Sequence, residues 1–473
     1  MKVDLLVHAP HMYTMAGEGL GYRCGESVAV DRGKIVAAGP REALEGAYTA
    51  ERTVEGRHHV LLPGFVDCHM HTRHAVYRGV AQDITNWMWG GVAPFEAAGT
   101  PAARLAGSRL AMAEALMSGT TTVGDDGPDL IGSAETAAAF GLRANLSPRI
   151  REVDMGSYGP GELYHFFPGL GQESLDACLN LFDRFHNYDN GRIRVLFGPQ
   201  GADFVSRELM VRVCRMAKEV GTRVHMHFSQ GSREDEQIQL RHHMRPVAYL
   251  DSLGVIDENL IAVHLSSATE EEVALTAKRG ASMIFCPSSI GVIDGEVPPA
   301  KIFLNHGGLV GLGSDQSPGN NNHNMFNEMK LAAVLNKCKY GTPLVFPAWK
   351  VLRMATIEGA RAIGLGDVTG SIEPGKAADL ILIDLRQPSL SPVITSPMRN
   401  IAANLVYAGR GHEVDTVIAA GKLLMEHRRP LTFDLDEVLD SVQQEAESLA
   451  ERATPRFQET NSIIAEYMRN DQL

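Results

Sequence analysis

Positive charge is scarce in this sequence: 44 Lys and Arg stand against 57 Asp and Glu, a formal net charge of −13. Nucleic acid and anionic membrane surfaces attract clustered cations. No basic run offsets the deficit, so neither is an expected partner. Cysteine is also sparse. Cys24, Cys68, Cys178, Cys214, Cys286 and Cys338 are scattered with no C-x-x-C pair, which speaks against a zinc–thiolate site and a disulfide framework. No apolar run approaches the roughly 18 residues of a membrane span. Residues Met1 to His8 are too short and too polar a stretch for a secretory signal, so a cytoplasmic setting is expected. No Gly-rich dinucleotide loop follows the first core strand, which argues against a doubly wound open sheet.

The 473 residues, 44% hydrophobic and 21% charged, suffice for one large folded domain and a smaller one. Short β-prone runs occupy both ends: Val3 to Val7, a hairpin pattern around Asp31-Arg32-Gly33, and later Ala378 to Asp384, Asp415 to Ala419 and Leu423 to Glu426. The middle alternates. β-prone runs at Val60 to Val66, Thr120 to Val123, Leu142 to Leu146, Ile193 to Phe197, Arg223 to Phe228, Leu260 to Leu265, Ser282 to Phe285 and Leu309 to Leu312 are separated mainly by helical patterns. Ala102 to Met117, Glu208 to Glu219 and Glu270 to Lys278 are examples. This order predicts an α/β chain: a (β/α)8 TIM-type barrel over 60–368, with a small β-sandwich domain built from 1–59 and 369–433. Residues 434–473 are a C-terminal helical extension. Its segment Asp436 to Ala453 is either a solvated surface helix or a face for a partner subunit.

The first core run ends in Asp67-Cys68-His69-Met70-His71. Histidines at i and i+2 of a strand point to one side, and two imidazoles at a strand end can reach one metal ion. Alone the pair is a weak signal. It gains weight because later strand ends carry His225-Met226-His227, then His264, then Gly313-Ser314-Asp315. In barrels of this kind the active site forms where the C-terminal ends of several strands meet.

Taken with Pro63-Gly64-Phe65-Val66, Ser118-Gly119-Thr120-Thr121-Thr122, Arg353-Met354-Ala355-Thr356 and the run from Gly370 to Leu380, these motifs resemble the amidohydrolase superfamily. The branch is that of cytosine- and guanine-type deaminases and triazine hydrolases, and the resemblance runs nearly end to end. It implies that His69, His71, His227 and Asp315 bind one divalent ion, zinc or iron. It also implies that His264 bonds the metal-bound water or the substrate, and that His264 and Asp315 carry the catalysis. His225 is expected in the core or behind the ligands. Binuclear relatives use a carboxylated lysine on the fourth strand. Arg194 to Gln200 contains no lysine, which favours one metal.

The pattern departs at Gln230. Deaminases of this branch carry a proton-shuttling glutamate three residues after the third histidine, and an amide cannot move protons, a role worth about 10²–10⁴-fold. Either the substrate needs no ring protonation, or Glu234, Asp235 or Glu236 substitutes, or His264 and Asp315 shuttle the protons. The acids at 234 to 236 also read as a solvated face, the favoured reading. Gln230, Trp87, Trp89, Gln200 and His323 are the candidate substrate contacts. The indoles suit a flat heterocycle or simply pack under a loop, and the amide-rich loop holding His323 either closes over the site or is ordinary turn chemistry.

The expected activity is hydrolysis of a C–N bond in a small amidine-like or N-heteroaromatic compound. The alternatives are an amide, carbamate or urea substrate, or displacement of a non-amine group. A non-catalytic scaffold on the same fold is disfavoured by the full ligand set. By resemblance the chain is expected to form a homodimer or higher oligomer.

Overall fold

The computed structural model describes residues 1–154, 158, 161–460 and 462–472. Eight core strands run through the middle of the chain: β1 (Phe65–Met70), β2 (Thr120–Gly127), β3 (Arg143–Ile150), β4 (Ile193–Val195), β5 (Val224–Phe228), β6 (Leu260–His264), β7 (Ser282–Phe285) and β8 (Leu309–Leu312). β1 to β4 form one parallel sheet and β5 to β8 another, each in sequence order. Every residue of β1, β2, β5, β6 and β7 is buried. Burial on both faces explains why these segments read as apolar runs rather than as alternation.

The two sheets meet at both edges. On one side Phe197 N donates to Arg223 O and His225 N donates to Phe197 O, both at 3.0 Å. On the other, Asp315 N donates to His69 O at 2.8 Å and His71 N donates to Asp315 O at 3.1 Å. The second seam runs through three of the candidate metal ligands.

Helices Pro101–Met117, Ile131–Phe140, Pro168–Phe185, Arg207–Glu219 and Glu270–Lys278 lie between strands. Their starts are legible chemistry. Thr100 Oγ1 accepts Ala103 N ahead of Pro101, and Thr269 with Glu272 forms a capping box.

Val60 to Val66 is not one strand. His59–Pro63 pairs antiparallel with Leu380–Asp384, and β1 begins only at Phe65. The break is Gly64, which packs so tightly on Thr121 that a Cβ there would sit 2.1 Å from Thr121 Oγ1. Both chain ends do share a sheet. Its seven strands run Arg429–Pro430, Lys422–Glu426, Val414–Ala419, Leu380–Asp384, His59–Pro63, His11–Tyr13, Tyr22–Cys24. A second mixed sheet of four strands comes from residues 2–55 alone.

The helix Leu435–Gln458 lies at the surface with most of its residues exposed, but one stripe is buried. It turns Val438, Val442, Leu449, Ala453 and Phe457 inward. Most of this stripe joins Val76, Tyr77, Phe95, Ala103 and Ala106 in one apolar cluster. No described helix is long and apolar enough to cross a membrane.

Candidate metal centre and catalytic cavity

β1 delivers His69 and, just past its end, His71. β5 delivers His227, β6 ends on His264, and Asp315 follows β8. His69 Nε2 lies 3.4 Å and His71 Nε2 3.2 Å from Asp315 Oδ1, and His227 Nε2 lies 3.4 Å from His71 Nε2. In each of the groups His69–His71–His227 and His69–His264–Asp315, the ligand atoms all lie within 4.8 Å of one another.

The tautomers follow from what lies behind the rings. His71 Nδ1 is 2.9 Å from Asp126 O, and His227 Nδ1 is 3.2 Å from Gln200 O. A carbonyl only accepts, so both Nδ1 atoms carry hydrogen and both Nε2 atoms are bare. Arg149 also approaches His71 Nδ1, at 3.1 Å, but its guanidinium has the Asp126 carboxylate as its own acceptor. His69 Nδ1 is 3.2 Å from His225 Nε2, and His225 Nδ1 faces Asp126 Oδ2 at 3.9 Å. The nearby carboxylate favours hydrogen on His225 Nδ1, an arrangement in which His225 Nε2 accepts from His69 Nδ1 and His69 Nε2 is bare as well. His225 sits behind His69, on the side away from the cluster, where it can orient that ring.

Three bare ring nitrogens pointing at one place beside a carboxylate need a shared cation. The unpartnered buried atoms agree: His69 Nε2, both His264 nitrogens and Asp315 Oδ2. The charge states agree too. Burial lowers His71 and His227, and it pushes His225 and His264 down to about 3. Burial alone would raise Asp315, but His69 and His71, the histidines nearest its Oδ1, hold it well below the usual carboxylate range. Neutral imidazoles and an ionised carboxylate are what a divalent ion binds. Backbone strain collects here as well: Ser229, His264, Leu265 and Asp315 have φ of +48°, +80°, +55° and +61°.

The cluster opens into a cavity of about 500 Å³. Trp87, Trp89, Gln200 and Gln230 line it beside His71, His227 and Asp315. Trp87 Nε1 also donates to Asp294 Oδ1 at 3.1 Å. His323 is placed otherwise. It is not among the lining residues, and its ring nitrogens each lie 2.7 Å from a serine Oγ, Ser314 and Ser317. His323 thus sits behind the turn that carries Asp315, away from the cavity.

Glu234 is not on a solvated face. It is fully buried, burial pushes it up to about 8, and its Oε2 accepts Gln230 N at 2.9 Å. Only Glu236 is exposed, while Asp235 pairs with Arg245. None of the three is among the residues that line the cavity.

Sequence reasoning missed the polar wall. Arg149 and Arg151 line the cavity at the end of β3, where the strand-end rule that found the histidines applies equally. Glu96 lines it too. Burial would raise Glu96, but Arg73 and His74 hold it well below the usual range, and Tyr77 donates to it at 2.6 Å. Gln316, next to Asp315, had no sequence signal. Both of its amide atoms are buried and unpartnered, as is Gln200 Oε1.

A metal-ready histidine and aspartate cluster at strand ends, open to a small-molecule cavity, defines a metal-dependent hydrolase. The amidohydrolase family model matches residues 60–424, and the chain belongs to that family. It is a hydrolase of C–N bonds other than peptide bonds, acting on a small molecule. It is 32% identical over 451 residues to a 5-methylthioadenosine/S-adenosylhomocysteine deaminase of Pelotomaculum thermopropionicum, covering 95% of this chain and 99% of the relative. It is 32% identical to a 5′-deoxyadenosine deaminase of Methanosphaera stadtmanae, covering 85% and 90%. Among solved structures, an adenosine deaminase of Xanthomonas campestris with bound zinc superposes with a TM-score of 0.86 at 29% identity, covering 95% and 99%. The zinc complex of atrazine chlorohydrolase from Arthrobacter aurescens shares the fold at 22% identity, with a TM-score of 0.83 and coverage of 93% and 100%.

Proposed function

We propose that the chain removes the amino group of an adenine-type nucleoside. Water adds at the ring carbon bearing the amino group, ammonia leaves, and the ring retains a carbonyl. The observation that carries this reading is the full-length similarity to nucleoside deaminases in a chain whose converging Nε2 set is intact.

His69, His71, His227 and Asp315 would hold one zinc or iron ion, and the absence of lysine from Arg194 to Gln200 supports one ion rather than two. Such an ion, when bound, lowers the pKa of water from about 15.7 to about 7. Asp315 Oδ2, buried and unpartnered, takes the attacking water's proton and, with His264, returns it to the amino group as ammonia departs. His264, with both nitrogens free, orients that water and steadies charge at the attacked carbon. Trp87 and Trp89 offer flat walls to a heterocycle. Gln200 and Gln316 offer unpaired amide atoms to its polar edge, and a substrate lacking that edge would leave them unsatisfied.

Two architectural inferences accompany this reading. The seams at Phe197 and at His69–Asp315 support closure of the two parallel sheets into one (β/α)8 barrel over 60–368. The apolar cluster shared by Leu5, Val7, Val28, Leu61, Leu380 and Ile418 supports a β-sandwich of 1–59 with 369–433, and leaves 434–473 as the helical extension.

Gln230 favours a second reading, an amide, carbamate or urea whose leaving group needs no acid at that position. Ammonia release separates the two. The metal-loaded protein is given adenosine, 5-methylthioadenosine, S-adenosylhomocysteine and 5′-deoxyadenosine beside ureas, carbamates and triazines. Ammonia from the nucleosides is expected. Inert nucleosides with turnover of a urea or carbamate would establish the second reading instead.

A further inference from the structure

His323 lies outside the cavity, yet it spans the turn that carries Asp315. Nδ1 lies 2.7 Å from Ser314 Oγ and Nε2 lies 2.7 Å from Ser317 Oγ, so the ring bridges positions on either side of the ligand. The hydrogens are ordered from the far end. Ser314 Oγ donates to Asp67 Oδ2 at 2.5 Å, and Ser314 N donates to Asp67 Oδ1 at 2.9 Å. Its own hydrogen committed, Ser314 Oγ accepts Nδ1–H of His323. Nε2 is then bare and accepts the Ser317 hydroxyl. One neutral tautomer completes the chain.

The turn needs this support. Asp315 sits at φ +61°, a left-handed conformation that is strained for a residue other than glycine. Asp67 is two residues before His69 on β1, so the chain of bonds ties the strand that delivers two histidines to the turn that delivers the carboxylate. Asn320 Nδ2 adds a bond to Ser314 O at 2.6 Å.

We propose that His323 is a positioning residue for Asp315: by clamping Ser314 to Ser317 it holds the carboxylate where the metal needs it and so sets metal affinity. The proposal rests on the ligand set above but not on any substrate. Zinc affinity of the full chain is measured by competition with a chelator of known affinity, alongside the melting temperature of the metal-free protein. His323→Leu is expected to weaken zinc binding about 10–100-fold, the usual range for a partner behind a ligand, with the metal-free melting temperature little changed. His323→Gln, which keeps a donor and an acceptor, is expected to fall between. Parental affinity in His323→Leu overturns the proposal. Should that variant not fold, Ser317→Ala decides: weaker zinc binding supports the clamp and parental affinity overturns it. Parental affinity in Asp315→Asn would bring down the ligand set itself, and the clamp with it.

Discussion

At the scale of single residues, the candidate metal centre is built by what stands behind each expected ligand. His71, His227 and His69 are turned by Asp126 O, Gln200 O and His225, so that each presents a bare Nε2 to one place. Gln230 is the residue whose chemistry most affects the reaction. It lines the cavity and moves no proton. Gln230→Glu is expected to raise kcat for an adenine-type nucleoside at least about tenfold, because general acid–base catalysis contributes about 10²–10⁴-fold where it operates. The pH profile of kcat should gain a carboxylate limb. Steady-state kinetics from pH 5 to 9 check it. A tenfold fall in kcat would mean that the amide itself holds the substrate. That His69, His71, His227, His264 and Asp315 come together was legible in the sequence because strand alternation and strand ends are simple rules, as with His69 and His71. The roles of Glu234 and His323 were not. One sits in a helical run of acids and the other in a loop of amides, and burial there depends on what packs from elsewhere in the chain.

At the scale of elements, the cavity wall depends on the C-terminal helix. Phe457 meets Phe95 edge-on with ring centroids 5.6 Å apart, and Phe95 stacks on Tyr77 at 5.4 Å. Tyr77 in turn donates to Glu96 in the cavity. The helix is therefore two rings away from a charged wall residue, and its own Arg456 also lines the space. Phe457→Ala should cost about 3–5 kcal/mol of stability, the range for a large buried ring. Because the lost packing reaches Glu96, KM should rise more than kcat falls. Denaturant melts and kinetics test both parts, and an unchanged KM would detach the helix from the site. The amphipathic spacing of this helix was readable, but which surface it would cover was not. Its partners, Val76 and Phe95, lie more than 300 residues away in sequence. Gly64 shows the same limit. A strand break forced by contact with Thr121 leaves no local mark beyond the glycine itself.

At the scale of the whole molecule, the alternation of strands and helices gave the layout, and the convergence of four strand ends gave the site. The expected ligands come from β1, β5 and the turn after β8, so they draw on both parallel sheets. An ion held there would tie the sheets together beside the seam at His69–Asp315. The folded state alone holds these groups together, so bound metal should stabilise the fold by mass action, by about 4 kcal/mol at a thousandfold excess over Kd. Removal with a chelator should lower the melting temperature and abolish turnover together. The central claim is that one divalent ion in this cluster powers the hydrolysis, and elemental analysis of the purified, active protein tests it most directly. The account predicts about one zinc or iron per chain, lost together with activity on chelation and restored with it on readdition. Full activity in metal-free protein, or two tightly bound ions per chain, would contradict it.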